Sequence, residues 1–236
     1  MFKYIKILLI NLFFIFSIFV NANEIEISRF LSVGNLKIVR QEPLSIERED
    51  LTITINKDKS IKVETDYTFK NIGKYNIKST YMFFLDKENK AEKGKYIKNI
   101  QFYSDYKKTE NLRALISFQE KKYENQESNN IEREWFAISK IIKANKKGKV
   151  NVSYDLVNTE FEKNKKFIYT FDLMENFNNK NEVKIFYVKI LNKSDLDVKN
   201  INYKNYKFKE IENLKYKEYE LLIGNENLEN NLVIEF

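Results

Sequence analysis

Apolar and polar residues alternate with a period of two along most of this chain, most cleanly from Ile61 to Phe69. There Ile61, Val63, Thr65, Tyr67 and Phe69 fall on one side of an extended backbone, and Lys62, Glu64, Asp66 and Thr68 on the other. A helix would scatter the same residues around its circumference, so the spacing predicts a strand with one buried face. Burying Ile61, Val63, Tyr67 and Phe69 contributes roughly 6 to 12 kcal/mol before conformational entropy is subtracted. Leu51, Ile53 and Ile55 repeat the pattern upstream, and the polar run Asn56 to Ser60 between them predicts a hairpin. Ile77 to Leu85 reads as a third strand after a turn at Asn71-Ile72-Gly73-Lys74. Gly73 is expected there at positive φ, which would extend the hairpin into an antiparallel meander.

Trp135 to Ile142 and Val150 to Val157 flank Asn145 to Lys149 and predict a second hairpin, with Gly148 left-handed. Phe167 to Leu173, Val183 to Leu191 and Leu232 to Phe236 carry the same enrichment in β-branched and aromatic residues. Helical spacing is confined to Thr109 to Glu120, where Leu112, Leu115, Ile116 and Gln119 predict one short helix. The expected fold is mainly β: an antiparallel β-sandwich-like domain or domains.

The N-terminus departs from this pattern. Lys3 and Lys6 precede an apolar run, Ile7 to Val20, of about 14 residues, too short for the roughly 20 a membrane-spanning helix requires. It reads as a signal peptide, residues 1–22, with cleavage between Ala22 and Asn23. The alternative is an uncleaved anchor. Residues 23–236 would then form an exported β-rich domain, periplasmic or extracellular, with a possible seam in the polar stretch 121–130. A single proline and five glycines leave no Pro-rich or Gly/Ser-rich linker. With no cysteine, burial and not disulfide bonding must stabilise the fold, and no lipidated cysteine can follow the leader.

The 41 Lys and Arg exceed the 34 Asp and Glu, giving a net charge of +7 that falls to +5 once Lys3 and Lys6 leave with the leader. Most basic residues are lysines interspersed with acids, whereas nucleic-acid readers favour clustered arginine; no nucleic-acid partner is expected. The absence of both His and Cys removes the commonest general base, transition-metal ligand and thiol nucleophile together. No Gly-rich phosphate loop is visible, and neither a catalytic residue, a metal site nor a cofactor is expected. Glu47, Glu49 and Asp50, with Arg48 among them, form the densest acidic cluster and could serve carboxylate chemistry on glycosides. The plainer reading is a charged edge just before a strand. Asp195 and Asp197 could offer oxygens to Ca²⁺ but lack the rest of an EF-hand loop, so a turn is preferred. Tyr203, Tyr206, Tyr216 and Tyr219, set among lysines, could stack on a glycan or a partner surface, or simply pack a sheet.

Gly34-Asn35-Leu36-Lys37-Ile38, Ile46 to Leu51, Ile61 to Asn71 and Thr80 to Asp86 resemble successive blocks of a bacterial exported family known as domain of unknown function 4424. So do Trp135, the segment Ala144 to Tyr154 and the closing run Asn231 to Phe236. The chain lacks that family's prolines after Phe83-Phe84 and before the Gly-Lys turn. The resemblance implies an exported β-rich domain with no active site to carry over. The expected function is a non-enzymatic binding module of the cell envelope whose partner is an envelope protein or a glycan. A small outer-membrane β-barrel is the alternative, because alternating Leu232, Ile234 and Phe236 close the chain. A carboxylate-dependent glycan-active enzyme stands third.

Overall fold

The computed structural model describes residues 30–38, 42–88, 95–109, 131–171, 182–212 and 215–236. The expected leader with its Ala22–Asn23 junction, the helix beyond Thr109 and the seam at 121–130 lie outside the described residues. In chain order the elements are β1 (Phe30–Gly34), β2 (Lys37–Ile38), β3 (Leu44–Ile55), β4 (Ile61–Asn71), β5 (Ile77–Glu88), β6 (Ile97–Ser104), β7 (Lys107–Thr109), β8 (Ile131–Ile142) and β9 (Lys147–Leu156). A single helical turn, α1 (Phe161–Asn164), follows. The chain ends with β10 (Lys166–Thr170), β11 (Glu182–Asn192), β12 (Asn200–Asn202), β13 (Lys209–Glu212), β14 (Lys217–Asn227) and β15 (Asn231–Glu235).

These strands form two sheets. One runs β12-β15-β10-β1-β5, with β2 also on β5 and β8 along the other side of β5; the other runs β13-β14-β11-β3-β4-β9-β6-β7. Their inner faces meet through aromatic rings. Phe83 of β5 stacks on Tyr154 of β9 at 4.8 Å, Tyr81 of β5 meets Phe69 of β4 at 4.8 Å, and Phe171 meets Phe186 of β11 edge-on at 5.4 Å. The mainly-β sandwich expected from the alternation is therefore the observed fold. Both sheets are open, and among the described residues no pairing closes either into a barrel. No described helix is long and apolar enough to cross a membrane.

The β3–β4 hairpin forms as expected, paired from Ile55–Ile61 to Leu44–Asn71 with one register shift between Ile46 and Arg48, and β4 alternates buried and less buried positions along its whole length. The meander does not continue. β5 crosses to the opposite sheet, where its continuous apolar run is buried on both faces: Tyr81, Phe83 and Leu85 in the core between the sheets, and Met82 and Phe84 with Trp135 and Ala137 on the other side. The corner is tied by Asn71. Its buried amide donates to the carbonyls of Tyr75 at 2.7 Å and Ile142 at 3.0 Å and accepts from the Gly73 N–H at 2.8 Å. Gly73 is not left-handed; it is required because a Cβ would sit 2.8 Å from Pro43.

β8 and β9 likewise separate into different sheets instead of pairing as a hairpin. The left-handed residue in their connection is Asn145, with φ of 55°. Gly148 lies inside β9, where a Cβ would sit 2.8 Å from Lys140 Cε. The sheets are also mixed: β1 runs parallel to β10, and β3 runs parallel to β11. Turn chemistry reveals neighbours in sequence, whereas these pairings join strands more than a hundred residues apart. Among the described residues four of the five outer strands, β2, β7, β12 and β13, have at most four residues. The fifth, β8, is long, and it turns Lys140 inward to Asp105 at 2.6 Å and Ser104 at 2.7 Å across the sandwich.

Candidate functional site

The acidic cluster lies within a central strand, not at an edge. A register shift between Ile46 and Arg48 sets Glu47 aside on the surface, where Lys184 (2.8 Å) and Lys147 (3.6 Å) reach it. The hydrogen bond from Lys184 holds the Glu47 carboxyl below its ordinary range against the opposing effect of burial. Beyond the shift the strand alternates. Glu49 points inward with Leu51, Ile53 and Ile55 and is fully buried, while Arg48 and Asp50 point outward and pair at 2.7 Å. Glu49 and Asp50 therefore occupy opposite faces of one strand and cannot flank a single glycosidic bond.

Glu49 lies among buried tyrosines and an asparagine. Tyr67 and Tyr169 both donate to Asn35 Oδ1, the latter at 2.9 Å, and the Leu36 N–H donates to Tyr67 at 3.1 Å. Burial first, then the Glu49 charge, pushes both phenols up. This network joins β1 and β10 of one sheet to β4 of the other, a role in fixing the interior.

The outward face of the eight-stranded sheet is different. β4, β9 and β6 place Glu64 opposite Ser153, Ser153 opposite Gln101, and Asn151 opposite Tyr103, lining an open groove of about 410 Å³. Lys62, Asn99 and Asp155 complete it. A bulge between Lys98 and Gln101 shapes its far end, with Asn99 left-handed at φ 53°, a conformation Asn tolerates. The turned Asn99 amide donates to Asp155 at 2.6 Å, the Tyr103 hydroxyl to Gln101 at 2.6 Å, the Asn151 amide to Asp66 at 3.0 Å and Lys62 to Glu64 at 2.8 Å. These bonds fix the side chains and leave amide donors, an amide oxygen and carboxylate oxygens facing solvent. Asp50 and Asp66 stand directly opposite each other beside the groove. Arg48 on one and Asn151 on the other relieve what would be a repulsive cross-strand pair.

A second cleft of about 500 Å³ lies where the β12 and β13 edges meet β14, lined by Ile201, Lys204, Tyr206, Phe208 and Tyr219 among others. Of the C-terminal tyrosines, Tyr203 and Tyr219 are buried, and Tyr206 is 37% exposed and stacks on Tyr203 at 6.1 Å. The polar groups here are spent on each other. Lys204 bonds Glu226 and Glu229, and the Tyr206 hydroxyl donates to Glu226 at 2.6 Å. Burial works to raise the Glu226 carboxyl, but the bonds from Lys204 and Tyr206 prevail and leave it lowered. The Asp195–Asp197 segment is the expected turn. Asn192 accepts from the N–H and hydroxyl of Ser194 and donates to the Leu196 carbonyl, and Asp197 pairs with Lys217 at 3.2 Å. Among the described residues no three acidic side chains gather as a metal site.

Fold and groove together define a class: a two-sheet, mixed β-sandwich with a polar, open outer face. No family model matches the chain, and no curated protein matches it. Solved structures do share the fold. A Legionella pneumophila protein, provisionally described as nutrient binding, superimposes with a TM-score of 0.60 at 9% identity over 88% of this chain and 71% of its own. A Parabacteroides distasonis protein, provisionally described as a protease, gives 0.50 at 9% identity over 82% of this chain and 40% of its own. An M1 zinc metallopeptidase from Deinococcus radiodurans gives 0.44 at 8% identity over 83% and 43%. This chain spans less than half the length of the latter two proteins, and the likeness to the Legionella and Parabacteroides proteins concerns the fold alone.

The acidic cluster and the C-terminal tyrosines, legible in the sequence, are not what builds the groove. Its signal was the polar half of β9, where Asn151, Ser153 and Asp155 alternate with Val150, Val152, Tyr154 and Leu156. Which strands flank β9 could not be read locally.

Proposed function

We propose that this protein is a non-enzymatic binding module of the cell envelope, exported by its N-terminal leader, and that the groove on the eight-stranded sheet takes a polyhydroxylated, glycan-type ligand. One observation carries the reading: the paired side chains Asn99–Asp155, Gln101–Tyr103 and Asn151–Asp66 stand on one open sheet face, each already oriented by its neighbour. Fixed amides that donate and accept, beside carboxylates that accept, suit vicinal hydroxyls, and ordering them before binding lowers the entropy cost of recognition. The Tyr103 ring, half-buried at the groove wall, offers a face for the apolar side of a sugar. The nutrient-binding description of the Legionella protein with this fold is in keeping with a binding role, and the resemblance to domain of unknown function 4424 implies export.

The test is an oligosaccharide panel of envelope type, assayed for binding and for cleavage against the wild type and Asn99→Ala, Asn151→Ala and Tyr103→Ala variants. Binding weakened about tenfold per lost hydrogen-bonding pair, with the oligosaccharide recovered intact, is expected. Retention by all three variants would refute the groove, and turnover would refute the non-enzymatic reading.

A further inference from the structure

One end of the sandwich concentrates exposed lysines and exposed ring or branched side chains that the groove does not use. Three turns converge there. The β4–β5 turn presents Ile72, 58% exposed, and Tyr75, 82% exposed, with Lys74 and Lys78 beside them. The β6–β7 turn presents Tyr106, 78% exposed, followed by exposed Lys107 and Lys108. The β8–β9 turn adds exposed Lys143 and Lys146, and the start of β9 adds exposed Lys147 and Lys149.

Backbone bonds prove that the turns adjoin. The Asn71 N–H donates to the Lys146 carbonyl at 2.9 Å, the Asp105 N–H to the Lys149 carbonyl at 3.0 Å, and the Ala144 N–H to the Asn76 side chain at 3.1 Å. Lys149 also lies over the Tyr106 ring at 4.9 Å. The acids at this end are engaged: Asp105 by Lys140, Glu47 by Lys184 and Lys147, and Asp50 and Asp66, near enough to act on Lys149, by Arg48 and Asn151. Of the eight exposed lysines, only Lys147 lies within ion-pairing distance of an acid among the described residues. Elsewhere on this protein Lys and Glu alternate, so the local excess of positive charge is a property of this end.

We propose that this end docks the protein on the surface of an anionic lipid bilayer, without spanning it. Lysines clustered within a Debye length of anionic headgroups are drawn to them collectively. Tyr75 and Tyr106 are amphipathic rings of the kind that settle at the headgroup level, and Ile72 beside them can enter the acyl boundary. No arginine occurs in these three turns, which favours lipid phosphates over a nucleic acid, where bidentate guanidinium contacts dominate. The inference does not depend on what the groove binds.

The test uses protein recovered from the exporting cells, wild-type and variant alike, so that whatever N-terminus it carries contributes equally to every arm. Co-sedimentation is measured with phosphatidylcholine vesicles, with and without phosphatidylglycerol. The wild type is expected to bind the anionic vesicles, and the charge reversals Lys74→Glu with Lys146→Glu to weaken binding by about 25-fold or more, at about fivefold per lysine. Tyr75→Ser with Tyr106→Ser should weaken it further at high salt, where the rings carry the remaining attraction. Lys107→Glu with Lys108→Glu, on a separate turn, repeats the test should the first pair disturb the fold. Equal binding to neutral vesicles, or unchanged binding in the reversal variants, would overturn the proposal. So would a soluble polyanion or duplex DNA competing fully while the serine variants bind normally, because the end would then read charge and not a bilayer. A defect in oligosaccharide binding by Asn99→Ala with vesicle binding intact would separate the two sites.

Discussion

Tyr154 and Tyr67 share a buried sandwich interior, yet removing their hydroxyls should move stability in opposite directions. The Tyr154 ring stacks on Phe83 at 4.8 Å and 9° between planes, and its hydroxyl has no hydrogen-bond partner among the described residues. Tyr154→Phe keeps the stacking and removes a buried polar group that gave up water for nothing. The expected gain is about 1 to 3 kcal/mol, the usual cost of an unmet buried group, or a rise in Tm of several degrees for a domain of this size. The Tyr67 hydroxyl donates to Asn35 and accepts from the Leu36 N–H at 3.1 Å, so Tyr67→Phe removes two bonds; because Asn35 Oδ1 still accepts from Tyr169 at 2.9 Å and from the Leu36 N–H at 2.9 Å, the cost should be about 1 kcal/mol. Urea unfolding at neutral pH, with m values checked for constancy, reads both. A loss of stability in Tyr154→Phe, or a gain in Tyr67→Phe, would show that the polar groups of this interior are wired differently and would refute the assignment.

Alkali should unfold the protein steeply. Burial is the first cause that raises Tyr67, Tyr81, Tyr154 and Tyr169 above their ordinary range. Below about pH 10 both states hold these protons and the contribution is fully present. Above it the unfolded chain releases them while the native one does not, so stability falls by about 5 to 6 kcal/mol per pH unit for the four. Tyrosinate absorbance rising cooperatively with loss of the strand dichroism is expected; smooth titration of every tyrosine near pH 10 in a folded protein would contradict it. Asp105→Ala should cost about 2 to 3 kcal/mol by stranding the buried Lys140 ammonium, discounted because the Asp105 side chain is 62% exposed, whereas Lys140→Met should cost less. Burial works to raise Asp105, but the Lys140 and Lys149 bonds outweigh it, so this contribution is present above about pH 4 and lost as pH falls further, measurable as an acid sensitivity reduced in Lys140→Met, where only the Lys149 N–H bond remains. Gly34→Ala should destabilise strongly, by about 3 kcal/mol or more, since its Cβ would sit 2.1 Å from the Phe84 ring; thermal melts showing no shift would mean that Phe84 moves freely.

What the sequence made legible was whatever is decided within one strand. Alternation in β4 gave its buried face, and Asn56 to Ser60 gave the β3–β4 turn, because both are local consequences of side-chain direction. Glu49 was within reach too. It continues the phase of Leu51, Ile53 and Ile55 inward, and only the reading of the acidic cluster as an edge concealed it. Sheet membership was not legible. The turns after β4 and β8 look like hairpin turns from their residues, but each carries the chain from one sheet to the other. The decisive feature of β5 is an apolar run buried on both sides, a statement about strands drawn from β1, β2 and β8. The groove suffered most from this. Its residues come from β4, β6 and β9, and no spacing within one of them discloses the other two.

That same crossing of strands relates the two proposed surfaces. β9 begins at the lysine-rich end with Lys147 and Lys149 and continues through Asn151, Ser153 and Asp155 of the groove. At about 3.4 Å per residue, Asp155 stands about 20 Å along the strand from Lys149 and Asn151 about 7 Å. β6 runs antiparallel beside it and brings Tyr103 toward the same end while its bulge holds Asn99 at the far one. A bilayer beneath the three turns would therefore leave the groove exposed along its length, opening on the side of the sheet and not into the lipid. The lysines and the amides could then act at once, on a headgroup layer and on a polyhydroxylated chain that lies beside or projects from it. Bound ligand should accordingly leave vesicle affinity nearly unchanged, and a large antagonism between the two would mean that the surfaces overlap more than the register of β9 permits.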